Sequence, residues 1–120
     1  MPRTSLPRPA DELPLTPAVF NILLALADGE KHGYAIMQEV RADTGGAIRL
    51  GPGTLYGSLD RLETAGFVEE SNARPVAKDD DARRRYYRLT DFGRRVLRAE
   101  VARLQASLVI ARQKNVLLST

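Results

Sequence analysis

The 120-residue sequence predicts a mainly α fold carrying a small antiparallel hairpin, in the α+β class. Three observations lead there. Apolar residues recur at helical spacing in four separate segments, glycines close the first three, and two short alternating runs flank a polar stretch. One domain fits the length. The 43% hydrophobic content can build a core, though a small one with much surface left over. Zero Cys removes disulfides, thiol nucleophiles and iron–sulfur clusters, and the single His argues against a multi-His metal site. Neither metal nor cofactor is expected. No apolar run approaches the ~18 residues of a membrane span, and no secretory leader pattern opens the chain, so the expected location is cytoplasmic with no membrane partner.

The elements follow in order. Met1 to Pro14 holds four of the seven prolines and little apolar periodicity, which reads as an extended, poorly ordered arm. Thr16-Pro17 is an N-cap with proline at the first helical position. The helix that follows places Val19, Phe20, Ile22, Leu23, Leu24 and Leu26 around most of its circumference, so a second helix or a partner subunit must cover it. A second helix runs from Gly33 to about Thr44 with Ile36, Met37 and Val40 on one face, and Gly45-Gly46 stops it. After a short extended link, Ala47 to Leu50, a third helix opens at Gly51-Pro52 and closes at Gly66. Leu55, Leu59 and Leu62 form its inward stripe. Phe67 to Ser71 and Tyr86 to Leu89 read as the two strands of a hairpin with a long loop, and Tyr87 is the tyrosine expected to be buried. The last helix begins at Thr90 and runs to about Asn115. Its Leu97, Val101, Leu104, Leu108 and Ala111 keep the 4-3 spacing of a coiled-coil seam. With no later element to cover that seam, pairing with a second copy is the expectation. Helix, helix, helix, hairpin, helix is the order of a winged helix-turn-helix. The expected division is an arm over residues 1–14, a winged unit over 15–89, and a dimerisation helix with a short tail over 90–120.

The third helix carries the candidate chemistry. With its leucines inward, Thr54, Gly57, Ser58 and Arg61 fall on or near the outward face, and Asp60 and Glu63 fall on a flank. Tyr56 lies at the edge. Gly57 costs roughly 1 kcal/mol inside a helix, which close approach to another surface would explain. An arginine can donate two hydrogen bonds to guanine or hold a phosphate, and threonine and serine do either job more weakly. From Asn72 to Arg88 there are six bases and three acids. A basic hairpin can follow the sugar–phosphate backbone, so Arg83 and Arg84 are the expected contacts, with Asp79 to Asp81 at the tip and Arg85 structural. Other chemistry finds little support. Gly51-Pro52-Gly53-Thr54 lacks the lysine of a P-loop, no Gly-x-Ser-x-Gly elbow exists, and His32 reads as a helix-start residue.

Three motifs in order and spacing then carry a family resemblance: His32-Gly33-Tyr34-Ala35-Ile36, Gly53 through Glu63 followed by Gly66, and Arg84 through Gly93. Together they resemble the PadR family of transcriptional regulators, from about Leu15 to the terminal helix, in the short-tailed subfamily. The resemblance implies a homodimeric repressor that binds a palindromic operator in double-stranded DNA and has no catalysis. By matching position it implies DNA contacts at Thr54, Tyr56, Ser58 and Arg61 in the third helix, beside the close approach already read at Gly57, and at Arg83 and Arg84 in the wing. It adds a phosphate contact at Tyr34. Where the family often has a glycine-containing wing turn, Asp79-Asp80-Asp81-Ala82 stands instead. Some short-tailed relatives bind flat aromatic compounds between their terminal helices, which makes Leu104 and Leu108 the candidate effector positions. Two other readings stand beside this one: a winged-helix module for protein–protein contact, and a small-molecule sensor that does not bind an operator itself.

Overall fold

The computed structural model describes residues 8–71 and 85–116. Helix α1 spans Pro17–Ala25, and the Thr16 hydroxyl caps it by accepting from the Val19 amide at 3.1 Å. Ile22, Leu23, Ala25 and Leu26 are buried, while Leu24 stays partly exposed. The expected cover for α1 comes from the chain itself, from α2 (Gly33–Asp43) and the long α4 (Asp91–Gln113). Between α2 and α3 (Pro52–Thr64) the chain turns through Gly45 and Gly46, both at positive φ. Thr44 staples that turn, its hydroxyl donating to the Val40 carbonyl at 2.8 Å and accepting from the Ile48 amide at 3.0 Å. Ile48 and Leu50 then pack against the core and carry the chain into α3.

The sheet has one strand more than expected. Lys31–His32 forms a two-residue strand β1 that pairs with β3 (Tyr86–Leu89), which in turn pairs with β2 (Val68–Ser71), giving the antiparallel order β1-β3-β2. Two residues carry no periodicity, so only the tertiary pairing reveals β1. The register sets Lys31 opposite Tyr87 and His32 opposite Tyr86 in one ladder, and Glu70 opposite Tyr87 in the other. Tyr87 is fully buried at the centre of the sheet, as its place on the strand led one to expect. Ile22, Leu23, Ile36, Leu55, Leu59, Val68 and Val96 share a single core with it.

Helix α4 is held to this core by its first turn. The Thr90 hydroxyl accepts from the Gly93 amide at 2.9 Å and itself donates to the Gly66 carbonyl at 2.5 Å. Gly93 packs so tightly that a Cβ there would sit 1.9 Å from the Phe67 carbonyl oxygen. An extended, poorly ordered arm was expected over residues 1–14; residues 1–7 lie outside the described residues, and residues 8–14 depart from that expectation. Pro9–Glu12 is a 3-10 turn packed on α4, and Leu13 and Leu15 pack against the core. The anchor is Glu100, which is 1% exposed. Its carboxylate accepts from the Leu15 amide at 3.0 Å and from the Arg103 Nε at 2.6 Å. A buried carboxylate needs such partners; Arg103 lies three positions along α4, whereas the Leu15 amide arrives only when the N-terminal segment packs. Arg103 holds the Glu100 carboxyl below its ordinary value, burial opposes this, and the Leu15 amide adds to the lowering.

Candidate nucleic-acid interface

Leu55, Leu59 and Leu62 are buried, which turns the opposite side of α3 to solvent. Stepping about 100° per residue from the leucine row, Gly57 lies opposite it, with Arg61 on one side and Asp60 on the other. Thr54, Asp60, Arg61 and Glu63 are all exposed. The outer surface of α3 is therefore mixed in charge at its C-terminal half rather than purely basic.

Ser58 corrects the expectation. It is 5% exposed and lies with the core rather than on the outward face, because it sits one turn from both Leu55 and Leu62. Its hydroxyl accepts from the Arg61 Nη2 at 3.2 Å. The Arg61 guanidinium is drawn back over Gly57, with its Nη1 3.7 Å from where a Cβ would stand.

Tyr56 is half-buried at the edge of α3, and its ring lies across the first turn of α2. A Cβ at Gly33 would meet the Tyr56 hydroxyl at 2.2 Å, so the absence of a side chain at position 33 seats that ring. The signal was present in His32-Gly33-Tyr34 as a glycine just inside a helix start, but its partner in α3 was not legible. Tyr34 is 56% exposed on the next position of α2, and its hydroxyl accepts from the Gln38 Nε2 at 3.1 Å. His32 caps α2, with its Nδ1 accepting from the Ala35 amide at 3.2 Å, and its ring meets Tyr86 edge-on at 5.4 Å. The helix-start reading of His32 thus holds. Among the described residues no group of His, Asp and Glu is placed to hold a metal ion.

The wing contacts Arg83 and Arg84 lie outside the described residues. Arg88 of β3 pairs with Glu69 at 2.8 Å, and Arg85, just before β3, with Glu70 at 3.7 Å. These pairs, the first of them directly cross-strand, partly neutralise the root of the wing. Burial lifts the Tyr87 phenol above its ordinary value, while the nearby Arg85 guanidinium pulls it the other way.

On α4 the seam residues divide. Leu97 is 5% exposed and belongs to the chain's own core, which corrects its assignment to a partner-facing seam. The reason is position: α4 is covered by the winged unit up to Glu100 and is largely uncovered beyond it. Val101 and Leu108 are exposed, and Leu104 and Ala111 are half-buried. Val109, Ile110 and Val116 are also exposed, so the apolar surface is wider than the 4-3 spacing indicated. No helix among the described residues is long and apolar enough to cross a membrane.

The profile of the "Transcriptional regulator PadR-like family" matches residues 22–99, which runs from the end of α1 through the buried half of α4. The chain belongs to the PadR-like family of transcriptional regulators. Among its relatives, the transcriptional regulator Rv3488 of Mycobacterium tuberculosis is 42% identical over 77 residues, covering 64% of this chain and 65% of that protein. An uncharacterised 37.1 kDa protein in transposon TN4556 of Streptomyces fradiae is 44% identical over 79 residues. That match takes in 66% of this chain but only 20% of the Streptomyces protein. Bacillus subtilis PadR, solved in complex with operator DNA, superposes with a TM-score of 0.59 at 25% identity, covering 70% of this chain and 46% of that one. This PadR-family chain therefore has the winged helix-turn-helix that its element order indicated, with α2 and α3 as the helix-turn-helix and β2 and β3 as the stem of the wing. The family is one of regulators rather than enzymes.

Proposed function

We propose that this chain is a DNA-binding transcriptional repressor, acting in the cytoplasm as a homodimer on a palindromic operator. The observation that carries the proposal is the exposed Thr54–Arg61 ridge of α3, on the fold of a relative solved with operator DNA. An α-helix fits the major groove when its outer face permits close approach, and Gly57 at the centre of that face permits it. Arg61 reads a base edge, Thr54 supports it, and Tyr34, Tyr56, Arg83 and Arg84 hold phosphates. Val101, Leu104, Leu108 and Ala111 pack against the same residues of a second copy, which sets two α3 helices about one turn of duplex apart, roughly 34 Å. A small-molecule effector entering between the paired α4 helices would meet Leu104 and Leu108.

The test selects genomic fragments with the purified protein and then compares selected and random duplexes by gel shift. Arg61→Ala is expected to lose about 1–3 kcal/mol of discrimination between them. Failure of the wild-type protein to retain any duplex at low salt overturns the reading. Leu104→Asp is expected to give monomers in light scattering, because it sets an unpaired charge in an apolar contact. A variant that stays dimeric moves the interface off α4.

A further inference from the structure

Between α2 and the start of α3 lies a cleft of which the expected contacts use only Tyr34. It runs along the C-terminal half of α2 and the turn that follows, in two adjoining lobes of about 440 and 200 Å³ that share Gln38, Arg41 and Arg49. Tyr34 lies at the end of the smaller lobe, and Gly46 lines the larger. Tyr34, Gln38 and Arg41 are spaced 4 and 3 along α2 and all three are exposed, so they form one stripe. At 1.5 Å per residue the stripe is ~10 Å long, the axial advance of about three nucleotides on one DNA strand.

The cleft is positive, and no acid among the described residues pairs with its arginines. Neither Arg41 nor Arg49 has a carboxylate partner among the described residues, although Arg8, Lys31, Arg85, Arg88 and Arg103 all do. The acids nearest Arg41 along the helix are turned away from it. Glu39 and Asp43 stand two positions to either side, facing other directions, and Glu39 is engaged by Lys31 at 3.5 Å. Arg49 is partly preorganised. Its Nε donates to the Gly46 carbonyl at 3.2 Å, and no protein acceptor among the described residues bonds its Nη groups. Arg49 also stands two positions before Gly51, the N-cap of α3, so it borders the end of the recognition helix.

We infer that Arg41 and Arg49 clamp the DNA backbone beside the recognition helix, a contact that rests on the DNA-binding reading and adds two phosphates to it. The cleft suits a polyanion better than a small free ligand. Sites for small ligands enclose most of the ligand's surface within largely apolar walls. Here both arginines are exposed and the stripe continues into Tyr34.

The experiment uses the full chain and a fluorescein-labelled duplex of mixed sequence, with affinity read by anisotropy between about 50 and 200 mM salt. Each lost phosphate contact removes about 0.9 from the slope of log affinity against log salt, so Arg41→Ala with Arg49→Ala is expected to flatten it by about 2. Arg41→Lys with Arg49→Lys is expected to retain the wild-type slope, which separates lost charge from lost folding. An unchanged slope in the double alanine variant, with the wild type still binding, overturns the clamp and leaves the DNA reading intact. A wild-type protein that does not bind the duplex overturns both. The same proteins are titrated with inorganic phosphate at constant ionic strength, read by melting temperature. Stabilisation of the wild type alone, with an unchanged DNA slope, overturns the clamp by assigning the cleft to a free anion.

Discussion

Replacing Gly57 with alanine separates what α3 needs for folding from what it needs for binding. Inside a helix, glycine costs about 1 kcal/mol relative to alanine, because it loses more backbone freedom on folding. Whether alanine recovers that energy depends on what its methyl meets. At position 57 it meets only the Arg61 Nη1, at 3.7 Å, an ordinary contact with the end of a flexible side chain. Gly57→Ala is therefore expected to stabilise the free protein by about 1 kcal/mol, which for a chain of this size raises the melting temperature by about 3–5 °C. Binding moves the other way. The methyl stands at the centre of the face that enters the groove, and overfilling a close-packed contact costs about 1–3 kcal/mol. That is roughly a 5- to 150-fold loss of affinity for a selected operator fragment. Thermal unfolding by circular dichroism and anisotropy titration on one preparation read both effects. A variant that gains stability and binds as the wild type does refutes the close approach. One that loses stability refutes the open outer face.

The other outcomes rest on buried contacts. Gly93→Ala reverses the sign, because its methyl meets the backbone of Phe67, with the carbonyl oxygen at 1.9 Å, and a backbone group cannot swing aside. A loss of about 1–3 kcal/mol is expected, read as a lower urea midpoint with unchanged slope. A midpoint at or above wild type refutes that packing. At Glu100 the folded-state carboxyl lies below its ordinary value of 4.5, so its contribution is complete above that value and is lost as pH falls through the folded value. Glu100→Gln is expected to melt below wild type at neutral pH and to lose less stability as the pH falls below the ordinary carboxyl value of 4.5. Parallel melting curves for the two proteins would remove the Leu15–Glu100–Arg103 anchor from the stability of the fold.

The local signals were strong in this chain, and they account for what could be read without coordinates. Thr16-Pro17, Gly51-Pro52 and Thr90-Asp91 mark helix starts by cap chemistry that acts within four residues. The row of Leu55, Leu59 and Leu62 states which way α3 faces, because helical geometry alone relates those positions. The order of elements and the three motifs were enough for the family. The rest depended on contacts between distant segments. Only the fold sets Gly33 beneath Tyr56, Gly93 against Phe67, and the Leu15 amide on Glu100, pairs separated by between 23 and 85 positions whose partners carry no mark of one another in the chain. Leu97 and Leu104 occupy equivalent places in one 4-3 repeat, yet the winged unit covers the first and leaves the second on the helix's uncovered half. Ser58 likewise turned inward because the core around α3 is wider than its three leucines. Periodicity gives the direction of a side chain, whereas burial depends on how far the neighbouring elements extend, and that extent is a property of the assembled molecule.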